Sequence, residues 1–223
     1  MTNRMRHVRD ELLEHLPFTV FSVAAGMAVL GLITYGAVDA RREALERGTR
    51  LLFHVFHPLH ILLSTVATTA MFWRHERHWL KATVVGVVGA VGICGISDIF
   101  LPYIAGFLLG VRMSLHICVI EHPQLILSYV AIGLVLGFAL PRTTRKATIF
   151  SHSAHVLVSS MASLLYLVSY GLYDWVAVGG MVLIYMVAAV ILPCCTSDIV
   201  FPILLASETT EGGEPTENAT HGH

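Results

Sequence analysis

The sequence predicts an all-α polytopic membrane protein of about six transmembrane helices, set out as two inverted three-helix repeats whose third and sixth helices are broken. Three observations lead there. Hydrophobic residues make up 55% of the 223 residues and charged residues 13%, with a mean hydropathy of +0.71, too apolar for a soluble domain of this size. The apolar residues gather into stretches near or above the ~20 residues that cross a bilayer. Inside those stretches a polar pattern is written twice: HPLHILLSTVAT at His57 to Thr68 returns as HSAHVLVSSMAS at His152 to Ser163, and CGISDIFLP at Cys94 to Pro102 returns as CCTSDIVFP at Cys194 to Pro202.

Taken in order, the expected spans are Pro17 to Val38, Leu51 to Trp73, Ala82 to Val111, Gln124 to Leu140, Ile149 to Leu172 and Trp175 to Leu205. The fourth is the shortest. The third and sixth exceed a straight crossing, and they carry the SDIxxP motif. The resulting division is a cytoplasmic amphipathic N-terminus (1–16), a first repeat (17–111), a connecting loop (112–123), a second repeat (124–206) and an acidic, disordered tail (207–223). No cleavable signal peptide is expected, because the first apolar stretch is too long for one. Three spans per repeat is an odd number, so the second copy must enter the membrane inverted.

Basic residues set the expected orientation. The side shared by both termini carries Arg4, Arg6, Arg9, Arg74, Arg77, Lys81, Arg142, Arg145 and Lys146, against Arg41, Arg42, Arg47, Arg50 and Arg112 on the other. This bias places both termini in the cytoplasm of a multi-pass cell-membrane protein. A net charge of −1 carries no basic surface for nucleic acid. Four cysteines, mostly inside spans, do not form a disulfide framework.

The duplicated residues carry the chemistry. His57 and His60 are three apart and share a helix face, with Ser64 and Thr68 continuing it at the next turns; His152, His155, Ser159 and Ser163 repeat the arrangement. His54 extends the first stripe. Pro102 and Pro202 cannot donate to the carbonyls four residues back, which in an α register belong to Asp98 and Asp198. Each aspartate is therefore expected beside its own freed carbonyl at a helix break, a cluster of oxygen donors at membrane depth. Cys94 and Cys194 precede the aspartates by four residues and share their face, which leaves their role as ligands open. The stretches LHICVIEHP and RHERH add His116, Cys118, Glu121 and His122, and His75, Glu76 and His78, at the membrane surface, either as solvated loops or as a vestibule for cations.

His57, His60, Asp98, His152, His155 and Asp198 are the candidate metal ligands, meeting near a pseudo-two-fold axis. Imidazole with carboxylate suits a divalent transition metal such as Mn, Zn, Fe, Co or Ni, moved as substrate. Without a cation two close carboxylates would share a proton, so metal in exchange for proton is the natural coupling. The partners expected are the metal ion and the lipid bilayer; a homo-oligomer is compatible with the chain.

HPLHILLSTVATTAMFWRHERHWLKA and GICGISDIFLPY, through His57, His60, Ser64, Asp98, Pro102 and their second copies, resemble a family of prokaryotic integral-membrane heavy-metal exporters described as manganese or arsenic-permease-like transporters. The resemblance covers about half of the chain and implies an exporter. Members of that family have more spans than this chain has room for. A membrane b-type cytochrome, with haem iron held by two imidazoles, is the alternative that paired histidines allow. A membrane metallohydrolase would need a signature such as HExxH, which is absent, so no enzyme is expected.

Overall fold

The computed structural model describes residues 3–36, 42–140 and 145–195, and within them the side chains of all but 3–12, 42, 75, 145–153 and 194–195. The described residues are helical, with no strands. We label the helices α1 (Asn3–Gly36), α2 (Arg42–His75), α3 (Trp79–Leu108), α4 (Cys118–Glu121), α5 (Pro123–Ala139), α6 (Arg145–Ser169) and α7 (Gly179–Cys195), the last preceded by a 3-10 turn at Trp175–Val178. Among the described residues, four stretches are long and apolar enough to cross a membrane: Leu13–Gly36, Glu43–Arg74, Trp79–Leu108 and Trp175–Pro193. Two apolar helical stretches are shorter, Pro123–Ala139 and Ala154–Ser169.

Helix α2 packs along both α5 and α6, while α1 packs against α6 and α7. From Ser159 to Tyr170 every residue of the α6 end is buried, so this segment is enclosed on all sides. It can be enclosed because Ser159, Ser160, Ala162 and Ser163 are small and let neighbouring backbones approach. Ser160 and Ser163 return their hydroxyls to the carbonyls of Val156 and Ser159, at 2.8 and 2.9 Å. One end of the bundle is tied by Trp175 Nε1 donating to Thr34 Oγ1 at 3.2 Å, the other by an edge-on contact of Trp73 with Phe138.

The α2–α5 seam is closer than side-chain packing allows. A Cβ on Gly133 would lie 2.7 Å from Thr65 Cβ and 3.0 Å from the Leu62 carbonyl oxygen, and one on Gly137 2.8 Å from Thr69 Cβ. Gly133 and Gly137 form a small-xxx-small face against the Thr65 and Thr69 turns. Because a backbone oxygen cannot step aside, Gly133→Ala should cost about 1–3 kcal/mol, read as a lower midpoint of thermal unfolding in detergent. Gly48 has open space where a Cβ would stand, and Gly48→Ala should raise that midpoint through helix propensity alone.

Helix α3 is not broken at SDIxxP as expected from sequence. It runs on through two π-helical segments, Val88–Ile93 and Ile96–Phe100, before a final α segment, Leu101–Leu108, with Pro102 in its first turn. The wide turn is the accommodation: Leu101 N–H bonds the Ile96 carbonyl five residues back. In that register the carbonyl that Pro102 leaves without a donor is Ser97's rather than Asp98's. It is taken by the Ser163 hydroxyl of α6 at 3.2 Å. The π turn also buries three consecutive residues, Ser97, Asp98 and Ile99, which an amphipathic α-helix would spread around its circumference.

Beyond α3 the chain turns back on itself. Gly110 takes φ 76°, and Val111 N–H reaches the Gly106 carbonyl at 3.0 Å, a Schellman closure in which glycine meets the left-handed requirement. The following segment is pinned across the end of α6. Met113 fills the space beside Gly106 and Gly171, Ser114 N–H bonds the Tyr170 carbonyl at 2.8 Å, and His116 N–H bonds the Tyr166 hydroxyl at 3.1 Å.

Candidate metal centre

Asp98 is wholly buried in α3, within a stretch of membrane-crossing length. An isolated carboxylate there would be very costly, and the fold answers with four donors. His57 Nδ1 and His60 Nδ1, both from α2, donate to Oδ2 at 2.8 and 2.7 Å. Ser97 and Ser159 hydroxyls donate to Oδ1 at 3.0 and 3.3 Å. The three-residue spacing of the histidines, with one helical turn between them, brings both Nδ1 atoms to one oxygen. Phe53, one turn before His57, stacks on its ring at 5.2 Å and fixes its plane.

The second copy of the motif enters from α6. His155 Nε2 lies 2.7 Å from His60 Nε2, with ring centroids 4.6 Å apart and the planes near perpendicular. Cys94 Sγ lies 3.7 Å from the same Nε2 of His60. His60 is thus held at one nitrogen by the carboxylate and presents the other to an imidazole and a thiol. Since an ionised carboxylate can only accept, His60 Nδ1 carries a proton, and the 2.7 Å contact to His155 needs one more proton shared between two Nε2 atoms. Asp98, His60 and His155 form a continuous chain across α3, α2 and α6.

Of the candidate ligands, the structure therefore brings together His57, His60, Asp98 and His155. His152 lies in α6 with its side chain outside the described residues, and Asp198, with Pro202, lies outside them altogether; Cys194 is in α7 with its side chain likewise outside. In this geometry the Asp98 carboxylate accepts from four donors, two of them imidazole Nδ1–H groups, and the atoms that meet beyond His60 are nitrogen and sulfur. The hydroxyl ladder also has a role the sequence did not show: Ser159 bonds Asp98, and Ser163 caps the carbonyl released by Pro102.

Pro102→Ala tests that geometry. A restored N–H can bond the Asp98 carbonyl four residues back, as an α register requires, and removes the reason for the π turn, so α3 should relax toward that register and rotate Asp98 away from the histidines. Thermal stability should hold or rise, by about 1 kcal/mol for one added hydrogen bond, while metal affinity falls by roughly 10-fold or more, the scale seen when a metal ligand loses its orienting partner. Thermal unfolding and metal titration of the same preparation check both.

A second histidine group lies at the end of α2 nearest the 111–122 segment. His54, His116 and His122 have ligand atoms all within 4.8 Å of one another. Burial pushes the Cys118 thiol up to about 12, with the Glu121 carboxylate adding to it, and lowers His116 against the opposing pull of Glu121. A groove of about 240 Å³ beside His57 has Gly92 and Gly95 of α3 and Ile117 and Val119 at the start of α4 among its walls.

No family model matches the chain, and neither does any curated protein or solved structure.

Proposed function

We propose that this protein is a membrane transporter that moves a divalent transition-metal cation through the His60–His155 pair in exchange for protons. The observation that carries the reading is one ring, His60, hydrogen-bonded to a buried carboxylate on one side and meeting an imidazole and a thiol on the other. A carboxylate behind a metal-ligating histidine fixes its tautomer and raises its basicity. Tetrahedral metal–nitrogen bonds of ~2.0–2.1 Å place ligand nitrogens roughly 3.3 Å apart, so the rings need to part by only about half an ångström from their 2.7 Å contact for a cation to replace the shared proton. Metal in and proton out at the same atoms is the coupling this implies. Nitrogen and sulfur donors favour Zn, Co, Ni and Fe over Mn.

The architecture that would serve this reading is six crossings in two inverted three-helix units, with both termini cytoplasmic. His57 to Asp98 would come from the first unit and His155 from the second, at their interface. The exporter direction rests on resemblance, and flux in liposomes of known protein orientation would test it. The bis-histidine haem alternative draws less support from the His60–His155 pair than a single cation does. A haem iron held by two imidazoles needs a slot for the macrocycle between the rings, and His60 and His155 meet edge to face at 2.7 Å.

Purified protein in liposomes, loaded with a metal-sensitive dye on one side and a pH-sensitive dye on the other, tests the function. Opposed metal and proton fluxes in one or both directions support it. Metal flux equal to that of protein-free liposomes for Zn2+, Co2+, Ni2+ and Fe2+ rejects it.

A further inference from the structure

His54, His116 and His122 come from α2 and from the segment beyond α3, and their protonation is dictated by their partners. His54 Nδ1 lies 2.7 Å from the Arg50 carbonyl oxygen; a carbonyl only accepts, so this nitrogen carries the ring proton. His116 Nδ1 lies 2.7 Å from Glu121 Oε1; a carboxylate also accepts, so here too Nδ1 is the protonated atom. In the neutral rings the remaining nitrogens, the two Nε2 atoms, hold lone pairs. They face each other at 3.2 Å. Two acceptors this close need something positive between them, or one ring must become imidazolium.

Everything around the pair suits a cation. The separation of 3.2 Å is close to the roughly 3.3 Å between nitrogens on one tetrahedral metal. His122 brings a third ligand atom within 4.8 Å of those of His54 and His116, and Cys118 Sγ stands beside this group, 3.4 Å from His116 Nε2. Both Nδ1–H groups donate to a carbonyl or a carboxylate, the supporting contacts that metal-bound imidazoles need. The segment bearing His116 is held by Met113, by the Ser114–Tyr170 backbone bond and by Tyr166, while the Tyr170 ring stacks on His116 at 4.9 Å. Preorganisation of this kind separates a built site from a chance gathering of surface histidines.

We propose that His54, His116 and His122, with Cys118 as fourth ligand, form a second metal site that takes Zn2+ or Co2+. Its role as the mouth of the path rests on the transporter reading; its existence as a binding site does not. The three histidines grade from buried His116 through half-buried His54 to exposed His122. His54 is one turn from His57 on α2, and the groove beside His57 is walled by Ile117 and Val119 on either side of Cys118. A cation captured at the surface would thus be relayed along one helix to the buried pair.

Co2+ titration of the full chain in detergent, followed by absorbance, reads the site directly. The expected wild-type spectrum has the intense ligand-field bands of tetrahedral Co2+ and a thiolate-to-cobalt charge-transfer band. Cys118→Ser should remove the Cys118 share of the charge transfer, leaving any from Cys94 at the buried pair, and keep ligand-field absorption; His116→Ala should weaken binding at this site by roughly 100-fold, and Glu121→Gln by about 10-fold through the lost support of His116. His155→Ala, in the buried pair, should leave this signal in place. If Cys118→Ser and His116→Ala, each unfolding like wild type without metal, keep the wild-type spectrum and affinity, the second site is overturned. Cobalt spectra as expected with no metal flux in liposomes would instead retain the site and reject transport, so the two readings fail separately.

Discussion

Asp98→Asn should produce a folded protein that no longer transports metal, and Asp98→Ala a protein that scarcely folds. The difference follows from the four donors around the carboxylate. An asparagine can turn its carbonyl oxygen to the two imidazole Nδ1–H groups and its amide toward Ser97 and Ser159, whose hydroxyls can reverse from donor to acceptor. Every contact survives, but the charge is gone. The two imidazole hydrogen bonds lose only their charge assistance, about 1 kcal/mol each, whereas the negative charge that balances a cation is lost outright, so metal flux should fall by roughly 100-fold or more in a protein that still folds. Alanine takes the carboxylate from both imidazole Nδ1–H groups and from the Ser97 and Ser159 hydroxyls, which can still bond each other at 3.0 Å, and removing one side of such a network costs about 3–5 kcal/mol, enough to consume much of a typical folding free energy. The check is detergent unfolding plus flux in liposomes on both variants. Wild-type flux in Asp98→Asn would mean that the carboxylate serves only to hold the helices together.

Much of the buried centre was legible because it is written in residues that apolar helices avoid. His57, His60, Asp98 and His155 stand out against Leu, Val and Ala, and a three-residue spacing on a helix is enough to place two imidazoles on one face. Repetition of the pattern linked α2 to α6 before any packing was known. The register of α3 was not legible. Proline states that one carbonyl loses its donor, but which carbonyl depends on whether the turn before it is α or π, and that is decided by Ser163 of α6 standing ready to cap Ser97. The change of one residue moves the freed carbonyl from Asp98 to Ser97, while the Asp98 carboxylate meets His60 Nδ1.

The surface site was half legible: LHICVIEHP offered His116, Cys118 and His122 as a cation vestibule, but not their meeting with His54. His54 and His116 are 62 residues apart, and no spacing rule connects a helix position to a loop position. Their meeting depends on the left-handed turn at Gly110 and on the gap beside Gly106 and Gly171 that Met113 fills, features read as loop residues until packing shows what they hold. The glycines of α5 were equally silent, since Gly133 and Gly137 in an apolar run gain meaning only from the Thr65 and Thr69 turns against which they lie.

His60→Asn and His155→Ala should each lower metal flux by roughly 100-fold, and the double variant should be no worse than either alone. Asparagine is chosen because its amide nitrogen stands near the imidazole Nδ1 position, so the hydrogen bond to Asp98 is retained while the Nε2 atom that reaches His155 is deleted. If cation and proton pass between the two Nε2 atoms, removing either atom already abolishes the passage, and the second substitution has nothing left to remove; groups that act as one unit show this non-additivity. A polar network that merely fastened α2 to α6 behaves otherwise. Its loss would appear in thermal unfolding, flux would follow the amount of folded protein, and the double variant would be worse than the singles. Flux per folded molecule, with unfolding midpoints on the same four proteins, separates the outcomes. Additive losses, or wild-type flux in either single variant, would remove the His60–His155 pair from the transport path.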